Sequence, residues 1–411
     1  MSVGASRAVA AVGLLALVGI AWLASRNRRR FPLRIVVVGI ALQLALGVVL
    51  LRTIAGRAVF GAMNDTVAAI VAYTNAGVRF VFGPLVDVGF SFALGVLPVI
   101  VFMGSLFSML YHLGVVQVVV RALARFLSRT LGTSGAESLS TVAEVFLGMT
   151  EAPLLVRPYI AKMTESELFT LMVAGMATVA GSVLVAYAQM LGGGDFGGHL
   201  LTASLLAAPG AIVISKVMIP ETGTPETLGR EGAMVPRTTV NLIDAAAEGG
   251  IAGLKLAATV GALLIAFVAL VALANDAVSF VGGLFGAPDL TLQAILGWLL
   301  APLALAMGIP WDEARQVGAL LGLKTVLNEF LAYQALGELV RQHGISARSA
   351  TITAYALCGF ANFGSIAILI GGVGSMAPTR RSDLARLGLR AILAGTLATC
   401  MAACIASLLL P

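Results

Sequence analysis

The sequence contains few charged residues. Asp, Glu, Lys and Arg make up 11% of its 411 residues, and hydrophobic residues make up 59%. Charged residues are about a quarter of an ordinary soluble chain, and the mean hydropathy here is +0.99. A soluble globular fold is therefore excluded. Because the apolar stretches are long enough for helices that cross a bilayer, we predict an all-α polytopic membrane protein.

Cysteine and histidine are also scarce. The chain has 3 Cys and 3 His, and Cys358, Cys400 and Cys404 lie in apolar stretches without a CxxC pair. Neither a disulfide framework nor a zinc site is predicted. The net charge of +6 is spread over loops, which indicates membrane orientation and predicts no nucleic-acid partner.

Long apolar stretches predict about eight membrane spans. They are 8–25, 33–51, 88–112, 166–192, 197–218, 253–275, 347–372 and 388–410. The arginines of 26–30 place the first loop in the cytoplasm, so the N-terminus is predicted outside. With eight spans the C-terminus is also outside, and the chain is predicted to be a multi-pass protein of the cell inner membrane. A ninth apolar run, 290–310, is predicted to lie in the interface, because counting it would move the arginines of 380–390 outside. The first span also resembles a signal peptide, but the arginines behind it favour retention.

Two further segments are too polar for a clean span and too apolar for a loop. Segment 135–162 carries Glu144 and Glu151, and segment 311–342 carries Glu329 near its middle. Each is predicted to form two short helices around a turn. Such a re-entrant hairpin enters the bilayer and returns, which is tolerated where protein or a water-filled cavity surrounds it.

The order of predicted elements occurs twice, which indicates an inverted repeat. We expect an N-terminal scaffold and connecting segment at 1–87, a first repeat at 88–218, a cytoplasmic connector at 219–252 and a second repeat at 253–411. Each repeat has a span, an interfacial helix, a hairpin and two spans. Inverted repeats with broken helices place a substrate site near the midplane, where the hairpin tips are predicted to meet broken spans.

Polar residues mark that midplane. Glu151 and Glu329 lie one in each hairpin, residues 358–365 interrupt one span with Gly and Asn, and residues 177–182 bring hydroxyls into another. An ionisable residue inside a membrane is a functional hypothesis by default. The alternative interpretations are carboxylates that cap the turns, small residues that pack helices, and hydroxyls that bond backwards within their own helix.

The residue types suit a neutral ligand with many hydroxyl groups. A carboxylate accepts two adjacent sugar hydroxyls, an amide such as Asn362 offers a donor and an acceptor, and Phe360 can pack on a planar ring. Neither tip carries an arginine, so a phosphorylated or carboxylated ligand would lack a partner. The residues predict a neutral polar solute with one flat face.

Five segments of the sequence resemble the concentrative nucleoside transporter family. They are GMTEAPLLVRPYIAKMTESELF at 148–169, ATVAGSVLVAY at 177–187, NLIDAAAEGGIAGLKLA at 241–257, GLKTVLNEFLAY at 322–333 and ALCGFANFGSIAILIGG at 356–372. They occur in the family's order and cover nearly all of the chain after about residue 85. The resemblance implies a homotrimer in the lipid bilayer that imports nucleosides by alternating access. It also implies symport with sodium or, in some bacterial members, protons, and no other cofactor.

The same resemblance implies roles for individual residues. The substrate-binding positions are Met149, Thr150, Glu151, Val183, Glu329, Phe360, Asn362 and Ser365. Among them, Glu329, Asn362 and Ser365 correspond to residues that hold the ribose. The cation-coupling positions are Glu144, Leu147, Thr178, Val179 and Ser182, of which the first three are expected sodium ligands.

Two positions depart from the family's usual pattern. Met149 stands where the family usually has Gln, so an amide that would contact the base edge is missing. Glu144 stands where the family usually has Asn, so this position can hold sodium or can take up and release a proton.

Three other functions remain open at the level of sequence. The first is an ion-coupled carrier of a nucleobase, a modified nucleoside or another neutral solute. The second is an intramembrane enzyme, which is disfavoured because no His lies beside Ser365 in the sequence to activate it. The third is a passive channel, although a pore needs neither two broken spans nor two hairpins.

Overall fold

The computed structural model describes residues 1–88, 92–193, 196–229, 239–287 and 289–411. All regular secondary structure in these residues is helical. The helices of the N-terminal part are α1 (Val3–Leu23), α2 (Leu33–Arg52), α3 (Ile54–Phe82) and α4 (Phe92–Gly95).

Two series of helices follow in a similar order. The first series is α5 (Leu97–His112), α6 (Val115–Leu131), α7 (Gly135–Ala143), α8 (Arg157–Ile160), α9 (Glu165–Ala177), α10 (Gly181–Met190) and α11 (Phe196–Met218). The second series is α12 (Leu242–Leu284), α13 (Leu292–Ala306), α14 (Trp311–Val326), α15 (Glu329–Arg341), α16 (Ala347–Leu357), α17 (Phe363–Met376) and α18 (Arg381–Leu409). Short 3₁₀ helices at Gly83–Val88, Ala152–Val156 and Pro378–Arg380 complete the described elements.

Eight helical stretches in the described residues are long and apolar enough to cross a membrane. Seven coincide with predicted spans, and the eighth, Ile54–Val86, does not. This stretch lies in the part of the chain predicted as N-terminal scaffold and connecting segment, where Arg57, Asp65 and Arg79 interrupt the apolar runs without ending helix α3. The predicted span 347–372 is instead divided into the two shorter helices α16 and α17.

Two boundaries also differ from the prediction. Helix α12 is 43 residues long and extends well beyond the predicted 253–275 at both ends. It begins at Leu242, where the side chain of Asn241 accepts a hydrogen bond from Asp244 N, so the predicted connector 219–252 ends in helix. Arg230 and Arg237, whose charge favours a cytoplasmic connector, lie outside the described residues.

The predicted hairpins are present as pairs of short helical elements. In the first, α7 begins with a capping box between Ser134 and Glu137, and non-helical residues 144–151 form its tip. In the second, α14 and α15 are separated only by residues 327–328, and the side chain of Asn328 caps α15. Helix α13 lies against α14 with a bend of 115° between them, so the apolar run 290–310 folds back on the second hairpin.

Buried and exposed helices are arranged as an inner and an outer group. Of the apolar windows, 89% is buried in Glu165–Met190 and in Phe196–Met218, and 78% in Pro378–Leu409, but only 17% in Leu242–Leu284. The long helices α3 and α12 therefore expose apolar side chains outwards. Helices α9, α11 and α18 form the interior around which the hairpins pack.

Candidate functional site

The two divided spans cross at their interruptions. Helix α9 ends at Ala177 and α10 begins at Gly181, while α16 ends at Leu357 and α17 begins at Phe363. Each interruption brings the C-terminal carbonyl groups of one half-helix and the N-terminal amides of the next into the protein interior. The carbonyl end carries partial negative charge and the amide end partial positive charge, which is an arrangement suited to binding ions and polar solutes.

Glycine allows this close crossing. A Cβ atom at Gly359 would lie 2.7 Å from the carbonyl oxygen of Met176 and 2.9 Å from that of Ala177. A Cβ at Gly395 of α18 would lie 2.6 Å from the Met176 Cβ and 3.3 Å from the Ala361 Cβ. The backbone of the second interruption therefore rests directly on the end of α9.

A buried carboxylate at the start of α15 organises the centre of the site. Glu329 Oε1 accepts a hydrogen bond from the Tyr187 hydroxyl at 2.9 Å, and Oε2 accepts one from Asn362 Nδ2 at 2.9 Å. Asn362 Oδ1 in turn accepts bonds from Ser365 N at 2.9 Å and from Ser365 Oγ at 3.1 Å. We call these four residues the Glu329 cluster. The structure thus brings the predicted residues Glu329, Asn362 and Ser365 together.

Tyr187 is a member of the cluster that the sequence did not indicate. It lies on α10 four residues after Val183, so the two side chains share one face of the helix. Its ring stacks on Tyr333 with a centroid distance of 4.5 Å and meets Phe330 edge-on at 4.8 Å. The spacing from Val183, a predicted wall of the site, is the signal that could have identified Tyr187.

Glu144 lies in a different environment at the tip of the first hairpin. It is 1% exposed, and its Oε1 has no hydrogen-bond partner. A Cβ atom at Gly175, in the last turn of α9, would lie 3.4 Å from this oxygen. In the part of the chain that the structure describes, no Lys, Arg or His forms an ion pair with Glu144.

This position is electrostatically costly for a bare carboxylate. The C-terminal turn of a helix is its negative end, and a buried charge requires a compensating partner. A proton on Glu144 or a cation beside it would remove the conflict. The residues near this point can therefore hold a small cation through carboxylate and carbonyl oxygens.

The other predicted ion-coupling residues line the first interruption or the tip. Thr178 is buried, and its hydroxyl donates back to Ala174 O at 2.8 Å, as the alternative interpretation of this residue predicted. The Val179 amide donates to Ser204 Oγ at 3.4 Å. Leu147 in the tip and Ser182 in the first turn of α10 are half-buried.

The tip of the first hairpin also touches the second series of helices. Thr150 packs on α17, where a Cβ atom at Gly372 would lie 2.7 Å from Thr150 Cγ2. Glu151 is exposed and its carboxylate folds over Gly148. Met149 is buried beside Gly175, whereas Phe360 is half-buried in the second interruption. The two hairpin tips thus converge on the two divided spans.

A second polar network, which the sequence did not predict, anchors the base of the first hairpin. Lys216 at the end of α11 forms a buried ion pair with Glu137 at 2.6 Å and donates to Ser166 Oγ at 3.0 Å. From the polar segment after α11, Thr227 accepts bonds from the amides of Gly135 and Ala136, both at 3.0 Å. The start of the predicted connector therefore holds the base of the first hairpin in place.

These features define a membrane protein with two re-entrant hairpins and a polar site where two divided helices cross. Comparison with family models gives matches to "Na+ dependent nucleoside transporter N-terminus" over residues 12–85 and to "Na+ dependent nucleoside transporter C-terminus" over residues 199–407. A "Nucleoside recognition" model matches residues 93–194. The chain belongs to the concentrative, sodium-dependent nucleoside transporter family, as the resemblance predicted.

Relatives from several organisms match almost the entire chain. The transporter YutK of Bacillus subtilis is 46% identical over 97% of this chain and 98% of its own length. The nucleoside permease NupC of Helicobacter pylori is 40% identical over 97% of this chain and 96% of its own length. Solute carrier family 28 member 3 of mouse is 41% identical, over 97% of this chain and 58% of that longer protein. These relatives are transporters, and the enzyme alternative is therefore wrong.

Solved structures share the complete fold. CNTnw in an inward-facing substrate-bound state superposes with a TM-score of 0.91 at 45% identity, over 99% of this chain and 98% of CNTnw. A CNTnw variant in an outward-facing state gives a TM-score of 0.93 at 45% identity, over 98% of this chain and 97% of that one. The fold is therefore that of a polytopic membrane transporter with re-entrant hairpins.

Proposed function

We propose that this protein imports nucleosides across the cell inner membrane by symport with a cation. The observation that carries the proposal is the Glu329 cluster, a buried carboxylate held by Tyr187 and Asn362 at the crossing of the divided spans. Family membership supports it, as does the similarity to a nucleoside permease.

In the proposed complex, Glu329, Asn362 and Ser365 bind the ribose. The carboxylate oxygens each keep a free lone pair and accept the two adjacent ribose hydroxyls, while the Asn362 and Ser365 side chains offer further polar contacts. Thr150 and Glu151 at the other tip lie on the side of the nucleobase. The described contact between Thr150 and Gly372 supports this arrangement, because it brings the first tip to the helix that carries Ser365.

The apolar part of the site is proposed to hold the base. Val183 and Phe360 form its walls, and Met149 replaces an amide with a thioether that forms only weak hydrogen bonds. Discrimination between bases therefore depends more on shape than on edge contacts. Met149 also favours a second candidate, a carrier of a nucleobase or modified nucleoside. Competition between ribose-containing and ribose-free ligands separates the two, since the Glu329 cluster requires the sugar.

Around the site we propose the organisation that the sequence predicted. Residues 1–87 form a scaffold, 88–218 and the part of the chain from α12 onward form oppositely oriented repeats, and the residues between α11 and α12 connect them in the cytoplasm. In this topology α3 belongs to the scaffold and does not cross, so eight crossings leave both termini outside, and three copies assemble in the lipid bilayer. The two described helix series follow the same order, which supports the repeat.

Coupling to a cation is proposed to occur at Glu144. Replacing Glu144 with Gln keeps the shape of the side chain but removes the charge, so nucleoside binding should persist while gradient-driven accumulation is lost. The measurement is radiolabelled uridine and adenosine uptake into proteoliposomes under a sodium gradient alone and then a proton gradient alone. Wild-type accumulation with sodium makes Glu144 a sodium ligand or a bystander, which the Gln variant separates, and wild-type accumulation only with protons makes it the leading proton carrier.

The matched control is Glu226→Gln, which changes an exposed carboxylate near the base of the same hairpin. It should accumulate nucleoside as the wild type does. Unchanged coupling in Glu144→Gln would refute the role of Glu144 in coupling. A wild-type protein that never raises the internal nucleoside concentration above the external one would indicate a channel.

Tyr187 should tune affinity through Glu329. Replacing it with Phe removes the hydroxyl that donates to Glu329 Oε1 while keeping the ring that stacks on Tyr333. We expect uridine affinity to fall by about tenfold to a hundredfold, since a hydrogen bond to a charged group is worth about 1.5–3 kcal/mol. Equilibrium binding to the purified protein measures the change, with Tyr73→Phe, an exposed ring on α3, as the control. Equal affinity in both variants would show that Tyr187 does not position the carboxylate.

A further inference from the structure

The second hairpin carries a buried cation of its own. Lys324 lies in the last turn of α14 and is completely buried. Its Nζ donates to Ala356 O at 3.0 Å and to Thr399 Oγ1 at 3.4 Å. Within the described ranges, no carboxylate forms an ion pair with this ammonium group. Its contacts are therefore to neutral oxygens, which are the kind of ligands that a small cation takes in proteins.

Lys324 and Glu144 occupy comparable places in the two helix series. Glu144 caps the C-terminal end of α7, the first arm of its hairpin, and lies against the last turn of α9. Lys324 ends the first arm of the second hairpin and binds Ala356 in the last turn of α16. Helices α9 and α16 are in both cases the first half of a divided span. Each hairpin thus brings one charged side chain to the carbonyl end of a half-helix.

The signs of the two charges differ, and this difference has a direct consequence. At the end of α16, the ammonium group compensates the negative end of the helix. At the end of α9, the carboxylate adds to the negative charge and needs a partner from solution. In the second helix series the positive charge is part of the Lys324 side chain, whereas the first series must bind a cation or a proton from solution.

We propose that the Lys324 ammonium permanently takes the place of a second coupling cation. It occupies the position in the second helix series that corresponds to the cation position beside Glu144 in the first series. The transport cycle then uses a single mobile cation site. Lys324 acts as a positioning residue, because it joins α14 to α16 and α18 and thereby holds the second interruption next to Glu329. This inference rests on the proposed function, in which a cation binds near Glu144.

Replacing Lys324 with Ser tests whether a free cation binds where the ammonium group was. The shortened side chain leaves Ala356 O, Thr399 Oγ1 and the new hydroxyl around a space from which the ammonium has been removed. We expect sodium to fill it, so that the slope of log uridine affinity against log sodium concentration rises by one relative to the wild type. The measurement is equilibrium uridine binding to purified protein at constant ionic strength, with choline replacing sodium.

Lys324→Met tests the need for charge. Its thioether chain fills similar space but leaves Ala356 O and Thr399 Oγ1 without their donor, so uridine affinity should fall by about tenfold at every sodium concentration. Lys324→Arg retains the charge and should remain closer to the wild type than Met. The control Lys162→Ser, which removes an exposed ammonium at the base of the first hairpin, should change neither affinity nor slope.

The results separate this inference from the proposed function. A wild-type protein that binds no uridine refutes the proposed function. If the wild type binds uridine but Lys324→Met has equal affinity, or Lys324→Ser shows an unchanged slope, then only the proposed role of the Lys324 ammonium is refuted. If Met and Ser do not yield folded protein, rescue of folding by Lys324→Arg or by high sodium in Lys324→Ser supports the inference, and failure of both overturns it.

Discussion

Replacing Glu329 with Gln is expected to lower uridine affinity by about a hundredfold or more. The carboxylate is positioned to accept two ribose hydroxyls, and each charge-assisted bond is worth about 1.5–3 kcal/mol, so losing the charge removes about 3 kcal/mol or more. The amide also cannot satisfy both existing donors, because its NH₂ group would face either the Tyr187 hydroxyl or Asn362 Nδ2.

The experiment is equilibrium binding of uridine, followed by competition with 2′-deoxyuridine, 3′-deoxyuridine and uracil. Glu338→Gln is the matched control, since it changes an exposed carboxylate on the same helix α15 and should bind uridine normally. Glu329→Gln protein that binds uridine within threefold of the wild type would refute the role of Glu329 in holding the ribose.

Replacing Gly359 with Ala is expected to disrupt the crossing of the divided spans. The added methyl carbon would lie 2.7 Å from Met176 O and 2.9 Å from the Ala177 carbonyl carbon and oxygen. These contacts are with backbone, which cannot turn aside as a flexible side chain can, and overpacking of this kind costs about 1–3 kcal/mol. The melting temperature in detergent and the folded yield should both fall.

Gly371→Ala provides the comparison on the adjoining helix α17. A Cβ atom there meets nothing within 4 Å, and alanine in a helix interior is favoured over glycine by about 0.5–1 kcal/mol. The melting temperature of this variant should therefore stay the same or rise. Equal stability of the two variants would mean that the crossing can open without cost.

The hairpins and interruptions could be predicted because their signals are local. Glutamate, asparagine and glycine within apolar segments cannot continue as ordinary spanning helices, and the structure ends α16 just before the Gly- and Asn-containing stretch. The same signals did not indicate the length of α3, where Arg57 and Arg79 lie on a helix that continues through them. Hydropathy measures the average character of a segment and not the face on which a charge lies.

Contacts between distant residues could not be predicted in this way. Tyr187 and Glu329 are 142 residues apart in the sequence, and Lys324 finds Ala356 and Thr399 at separations of 32 and 75 residues. No local sequence motif around Tyr187 or Lys324 indicates which distant residue its side chain contacts. Their importance emerges only when the crossing of two interrupted helices brings them together.

The anchoring of the first hairpin by residues 219–229 limits how the protein can be modified for study. Thr227 bonds to the start of α7, and Glu221 accepts a hydrogen bond from Thr164 just before α9. A fluorescent protein or epitope tag inserted between α11 and Gly229 would separate these residues from the helices they hold. An insertion placed after Gly229 leaves every one of these bonds intact, and is the position to choose for a reporter within the chain.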